Sequence, residues 1–111
     1  MAAVLRTSRK RSSQHAFLRT ATLQAMVTPQ RTLAGESTLY GFAWRLKVDA
    51  GTVIYAHHGG DSMGARAFLY LEPGRRLVVA LLSNLGGVPL GEKEAIALAD
   101  LFAKRTDRPA R

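Results

Sequence analysis

Apolar and polar positions along this chain change period twice, and the changes mark its elements. Thr20 to Val27 reads as a short helix, with Thr20 able to cap it, Leu23 and Met26/Val27 on one side, and Thr28-Pro29 as its stop. Gln30 to Ser37 is polar and contains Gly35, which suits an exposed connection. From Tyr40 the period becomes two. Tyr40, Phe42, Trp44, Leu46 and Val48 alternate with Gly41, Ala43, Arg45 and Lys47, which predicts a half-buried strand with Phe42 and Trp44 in the core. Asp49-Ala50-Gly51 is a hairpin-sized break, and Thr52 to His58 a second strand rich in β-branched and aromatic residues. Gly59 to Gly64, with three glycines in six positions, then interrupts it as a loop.

Ala67 to Leu71 predicts a third strand, followed by a turn at Glu72-Pro73-Gly74-Arg75. Leu77 to Leu82 is a continuous apolar run, too short for a stable helix, which fits a strand covered on both faces. After a Gly/Pro loop, Glu92 to Lys104 carries a helical stripe of Ala95, Leu98, Leu101 and Phe102. Glu92 and Glu94 favour its positive end and Lys104-Arg105 its negative end. The expected fold class is therefore α+β: a four-stranded antiparallel meander with a C-terminal helix packed on it and a short N-terminal helix.

Composition narrows the chemistry. The chain of 111 residues contains no cysteine, which removes disulfides, thiolate metal sites and cysteine nucleophiles. Its formal net charge of +8 is concentrated towards the ends. No acidic residue precedes Glu36, whereas Arg6, Arg9, Lys10, Arg11, Arg19 and Arg31 do, and Lys104, Arg105, Arg108 and Arg111 lie at the other end. Residues 1–18 and 107–111 are accordingly read as basic tails around a domain at 19–106. No aromatic–basic interleaving or known motif accompanies the charge, so no nucleic-acid partner is expected. No apolar run approaches the about 20 residues of a membrane span. Arg6 breaks Ala2-Ala3-Val4-Leu5 too early for a secretory signal.

One ordered set of short motifs changes the picture. Thr28-Pro29-Gln30, Leu39-Tyr40-Gly41-Phe42-Ala43-Trp44, His58-Gly59-Gly60 with Gly64 shortly after, and Leu77–Leu82 running into Ser83-Asn84 follow one another at characteristic spacings. Together they resemble the C-terminal third of the serine β-lactamase-like family, which includes class C β-lactamases, DD-peptidases and esterases. The resemblance implies the β-lactamase/transpeptidase-like fold, an acyl-serine hydrolase ancestry, a small-molecule or peptide acyl substrate, and no cofactor. It also implies that the missing N-terminal part of the domain is a partner. Family members are mostly periplasmic or secreted.

In that family three motifs build the active site: Ser-x-x-Lys, Tyr-x-Asn or an equivalent, and Lys/His-Thr-Gly on an edge strand. Only the third has a counterpart here. By resemblance, His58, Gly59, Gly60 and Asp61 form the substrate and oxyanion strand, with His57-His58-Gly59 as the alternative register. Gly60 would let a substrate approach closely, the Asp61 amide would donate to the oxyanion, and His58 would stand where the family has its lysine. An Asp after the glycine pair departs from the pattern, since its charge is unhelpful unless it points away. No Ser is followed three residues later by Lys, and none of Tyr40, Tyr55 and Tyr70 begins Tyr-x-Asn. The basic stretch Thr7-Ser8-Arg9-Lys10 only imitates the first motif.

Without a nucleophile and base the chain alone is expected to be inactive, with no catalytic residue of its own. A small non-catalytic binding module derived from the same fold is the alternative. Adjacent His57 and His58 point to opposite faces of a strand and so do not share a metal ion; no metal is expected.

Overall fold

The computed structural model describes residues 2–6 and 17–106. Two helices and five strands follow in the order β1 (Ala2–Arg6), α1 (Thr20–Met26), β2 (Arg45–Asp49), β3 (Thr52–Ser62), β4 (Ala65–Glu72), β5 (Leu77–Ser83) and α2 (Glu92–Thr106). The strands form one sheet in the order β1-β5-β4-β3-β2, every pair antiparallel. The four-stranded meander expected from the sequence is thus β2 to β5. The fifth strand lies within the stretch 1–18 that the sequence pattern reads as a tail. Ala2–Arg6 is too short to show a period, yet it pairs with β5 from Ala2–Leu81 to Arg6–Leu77, occupying an edge that would otherwise present unpaired backbone. Expectations for 7–16 and 107–111 fall outside the described residues.

The core lies between the sheet and α2. Phe68 and Tyr70 of β4 and Leu77, Val79 and Leu81 of β5 are buried against Ala95 and Ala99 of α2. The small side chains of Ala95 and Ala99, both fully buried, let the helix axis come close to the sheet. Leu101, expected in the helix stripe, is 63% exposed, and Ala99 takes the central place instead. The other three stripe residues are on the core side, Ala95 buried and Leu98 and Phe102 packed against the cluster, so Leu101 alone is misplaced.

The end of α2 near the β4–β5 turn is held by charge. Arg75 donates to Glu72 at 2.6 Å and to Asp100 at 2.7 Å, and Glu72 also accepts from the Tyr70 hydroxyl at 2.9 Å. The bond to Glu72 holds Arg75 protonated above its ordinary range. Burial, and then the bond to Glu72, raises the Tyr70 hydroxyl above its own. At its other end α2 is capped by Glu94, whose Oε2 accepts the Gly91 N–H at 3.0 Å.

The opposite face of the sheet is only partly covered. At the β2 end Leu46 and Ala56 are buried, with Gly41 of the loop after α1 against Leu46. The cap of α1 is the backbone of Arg19 with no side-chain bond, not Thr20 as expected; at the other end the Thr28 hydroxyl donates to the Gln24 carbonyl. Of β5, Leu77, Val79 and Leu81 are buried on the α2 side, while Leu82 is 50% exposed on the other. The run Leu77–Leu82 is therefore covered on one face, not on both.

Tyr40 to Trp44 does not continue β2 as the alternation predicted. Tyr40 makes only an isolated bridge to Arg45, Ala43 has φ 64°, and Phe42 is 53% exposed while Trp44 is half-buried. Local bonds turn the chain away from the sheet: Gly41 N–H donates to Trp44 O at 2.8 Å and Phe42 N–H to Met26 O at 2.9 Å. A Cβ on Gly41 would lie 2.1 Å from the Met26 carbonyl oxygen, so only glycine fits this crossing.

Two substitutions test this account by urea denaturation. Gly41→Ala is expected to destabilise the chain by about 1–3 kcal/mol, because backbone must move to admit the methyl group. In the β2–β3 hairpin Ala50 and Gly51 have φ 45° and 78°, the signature of a type I′ turn in which alanine is strained. Ala50→Asn is expected to raise stability by about 1 kcal/mol.

Candidate functional site

Strand β3 does not stop at His58. It runs on through Gly59, Gly60, Asp61 and Ser62, paired with β4 from Ala56–Leu71 to Ser62–Ala65, and the two-residue turn Met63-Gly64 follows, with Gly64 at φ 80°. The glycine-rich segment expected to be a loop is strand because β4 supplies a partner for every residue of it, which outweighs the low strand preference of glycine. On its other side β3 is paired with β2 only as far as Arg45–His57. Among the described residues, no strand covers that side of His58–Ser62. β3 is therefore an interior strand at its start and an open edge at its end, where alternate residues direct N–H and C=O outward.

Alternation sorts the candidate residues onto two faces. His57, Gly59 and Asp61 face α2 with Phe68 and Arg66; His58 and Gly60 face the other way with Ala67 and Leu69. The paired glycines consequently have different roles. A Cβ on Gly59 would lie 2.6 Å from Phe68 Cδ2, so this glycine makes room for the phenylalanine ring. A Cβ on Gly60 would meet nothing within 4 Å. Gly60 opens onto a groove of about 360 Å³ lined by His58, Ala67, Leu69, Ala80 and Leu82.

The two histidines differ as sharply. The ring of His57 stacks on Phe68 with centroids 5.2 Å apart, and its Nε2 lies 3.8 Å from Glu92 Oε2. Its Nδ1 is buried with no hydrogen-bond partner, and burial lowers its pKa against the opposing pull of Glu92. Glu92 also accepts a short hydrogen bond from the Tyr55 hydroxyl, whose pKa is pushed up to about 12, chiefly by burial and then by that bond. Tyr55 is accordingly a donor at neutral pH. Sequence reasoning treated Glu92 only as a helix-end charge. Its contacts with Tyr55 and His57 join positions far apart in the chain, and no local signal marks them. His58 is exposed at the mouth of the groove on the far face.

Asp61, the departure from the expected motif, has its Oδ1 3.7 Å from Arg66 Nε on the α2 side of the strand. Its carboxylate is thus on the face opposite His58 and has a cation beside it. Ser83, at the end of β5, accepts the Leu85 N–H at 3.0 Å and closes the strand exit. Among the described residues no group of three or more His, Cys, Asp or Glu could hold a metal ion, and no helix is long and apolar enough to cross a membrane.

This strand arrangement, with its glycines and its exit through Ser83-Asn84, agrees with a family-level match: the Beta-lactamase model matches residues 1–103. The chain belongs to the Beta-lactamase family. No curated protein and no solved structure matches it. The matched range includes the segment that forms β1. For a Beta-lactamase family chain the hydrolase-related origin follows.

Because the folded-state pKa of His57 lies below its ordinary value of 6.5, the unfolded chain binds a proton more readily than the folded one. The contribution of neutral His57 is fully present above that value and is lost as pH falls through the window beneath it. Thermal melts are expected to show stability declining as pH falls below 6.5, with a shallower decline in His57→Phe. Equal slopes in the two proteins would refute the assignment.

Proposed function

We propose that this chain supplies the substrate-binding strand of a serine acyl hydrolase, as the C-terminal part of its domain, and that His58, Gly59, Gly60 and Asp61 are that strand. The observation that carries the reading is the bare edge of β3 at His58–Ser62, next to a face where Gly60 has no neighbour and His58 opens onto an apolar groove. An extended acyl group can pair with such an edge as an added strand while its carbonyl oxygen meets an outward N–H. In this reading Asp61 supplies that amide, and its carboxylate, beside Arg66, lies away from the reacting side. His58 places a polar ring beside the leaving group. The placement of His57 against Phe68 and Glu92 favours His58 as the motif residue.

The attacking hydroxyl and its base belong to sequence that this chain does not contain. None of its serines has a lysine three residues on, and oxyanion stabilisation accelerates a reaction only when some group attacks. The groove on the His58 face is where the rest of the domain would pack. Whether the acyl substrate is a β-lactam, a peptide or an ester is decided by pockets that other sequence would build.

The purified chain is expected to leave nitrocefin and p-nitrophenyl acetate unhydrolysed. Titration with intact nitrocefin is expected to shift the amide resonances of His58–Ser62, and Gly60→Val to abolish the shifts. Turnover that disappears on replacing a residue of this chain would overturn the inactive-alone reading. Shifts confined to other parts of the sheet would overturn the strand assignment.

A further inference from the structure

The bare stretch of β3 is short and both its ends are defined. β2 begins opposite His57, and the turn at Met63-Gly64 closes the strand after Ser62. The outer backbone groups of His58 to Ser62 therefore meet no strand among the described residues. This stretch lacks the usual guards of an exposed edge. It contains neither proline nor lysine, and its two glycines leave the backbone approachable. Gly60 sits at its centre, with nothing within 4 Å of the place a Cβ would take.

A second copy of the same edge can meet it in few ways. Two identical strands paired antiparallel are related by a two-fold axis perpendicular to the sheet, so α2 lies on the same side in both copies. Residues directly opposite one another share a face. His58, Gly60 and Ser62 can thus oppose only one another, and so can Gly59 and Asp61. Five registers satisfy that condition, one centred on each residue. Centring on His58 or on Ser62 pairs only one residue of each stretch. Centring on Asp61 sets the two Asp61 carboxylates directly opposite, like charge on like. Centring on Gly59 drives each Asp61 onto His57, whose outer side Arg45 already occupies. Centring on Gly60 pairs the whole stretch: Gly60 with Gly60, Gly59 with Asp61, and His58 with Ser62.

The charges favour the same register. In it the second copy's Asp61 lies opposite Gly59 on the α2 side. Arg45 lies opposite His57 on that side, two positions along the edge and so about 7 Å away, within reach of an arginine side chain. Arg45 has its guanidinium carbon 5.9 Å from the centre of the Tyr40 ring and forms no ion pair with a carboxylate among the described residues. The two-fold axis repeats the contact, and each copy contributes one cation and one anion.

We propose that the open end of β3 is a self-association surface, at which two chains pair through His58–Ser62 in the register centred on Gly60 and extend one antiparallel sheet across both copies. The pairing needs only the bare edge and does not rest on the acyl-ligand reading. A second copy and an acyl ligand use the same outward N–H groups and exclude each other.

The chain has no cysteine, so a single introduced thiol reports the register. Gly60→Cys is expected to give a disulfide-linked dimer under mild oxidation, because residues opposed across an antiparallel pair have Cα atoms about 4.5–5.5 Å apart, within the range of a disulfide. The two Met63 positions lie about 20 Å apart in this register, and Met63→Cys is expected to stay monomeric although the site is fully exposed. Sedimentation of the unmodified chain is expected to show a concentration-dependent dimer. Arg45→Asp and Asp61→Arg are each expected to weaken it roughly tenfold or more, two ion pairs being lost at once, and the double substitution to recover most of the loss. A variant that merely failed to fold would not be repaired by the other.

A monomer at the concentrations of the nitrocefin titration would overturn the proposal. So would a dimer that Gly60→Cys does not cross-link and that exchange of the charges does not restore; the contact would then lie on the apolar face around Leu69 and Leu82. The acyl-strand reading is decided separately. Nitrocefin that leaves a cross-linkable dimer unchanged tells against that reading and leaves the self-pairing in place. A monomer whose His58–Ser62 amides respond to nitrocefin does the reverse.

Discussion

Packing of the sheet against α2 sets the register on which every other feature of this protein depends. Tyr70, Leu77, Val79 and Leu81 must face the helix, and Ala95 and Ala99 must face them. In a strand a slip of one residue exchanges the two faces, so burying these side chains on one side leaves a single alignment for β4 and β5. β4 pairs with β3 residue for residue, and the choice is thereby passed to the histidines and glycines. His57, Gly59 and Asp61 are carried to the helix side, His58 and Gly60 to the other. A core of seven buried side chains thus determines the chemistry that the open strand edge presents.

The two faces have different physical characters as a result. Towards α2 the strand end is polar: Tyr55, Glu92 and His57 form one connected group, and Arg45, Asp61 and Arg66 another. Away from α2 it is apolar and open, with Leu69 and Leu82 beside Ala67 and Ala80. An exposed apolar surface next to an unpaired strand edge is the kind of feature that another part of a protein covers.

Tertiary pairing overruled local pattern in three places. Gly59 to Ser62 has the composition of a loop, yet β4 lies alongside and makes it strand. Tyr40 to Trp44 has the alternation of a strand, yet bonds from Gly41 and Phe42 to nearby backbone fold it over the end of the sheet. Ala2–Arg6 has no period long enough to read and becomes a strand because β5 offers it an edge. Within α2, Ala95, Leu98 and Phe102 lie on the core side as their spacing predicts, while Ala99 is buried and Leu101 is exposed.

By itself the sequence determined the α+β class, the meander from β2 to β5, the C-terminal helix with its end charges, and the ordered motifs around His58-Gly59-Gly60. These are encoded by period, turn residues and spacing, all of which act over a few neighbouring positions. Only the tertiary structure decided that β3 is covered at its start and bare at its end, that Gly59 accommodates a ring while Gly60 faces open space, and that Glu92 reaches Tyr55 and His57. Those outcomes depend on which strands lie side by side and where each one stops. That is set by packing between residues far apart in the chain, which no local pattern records.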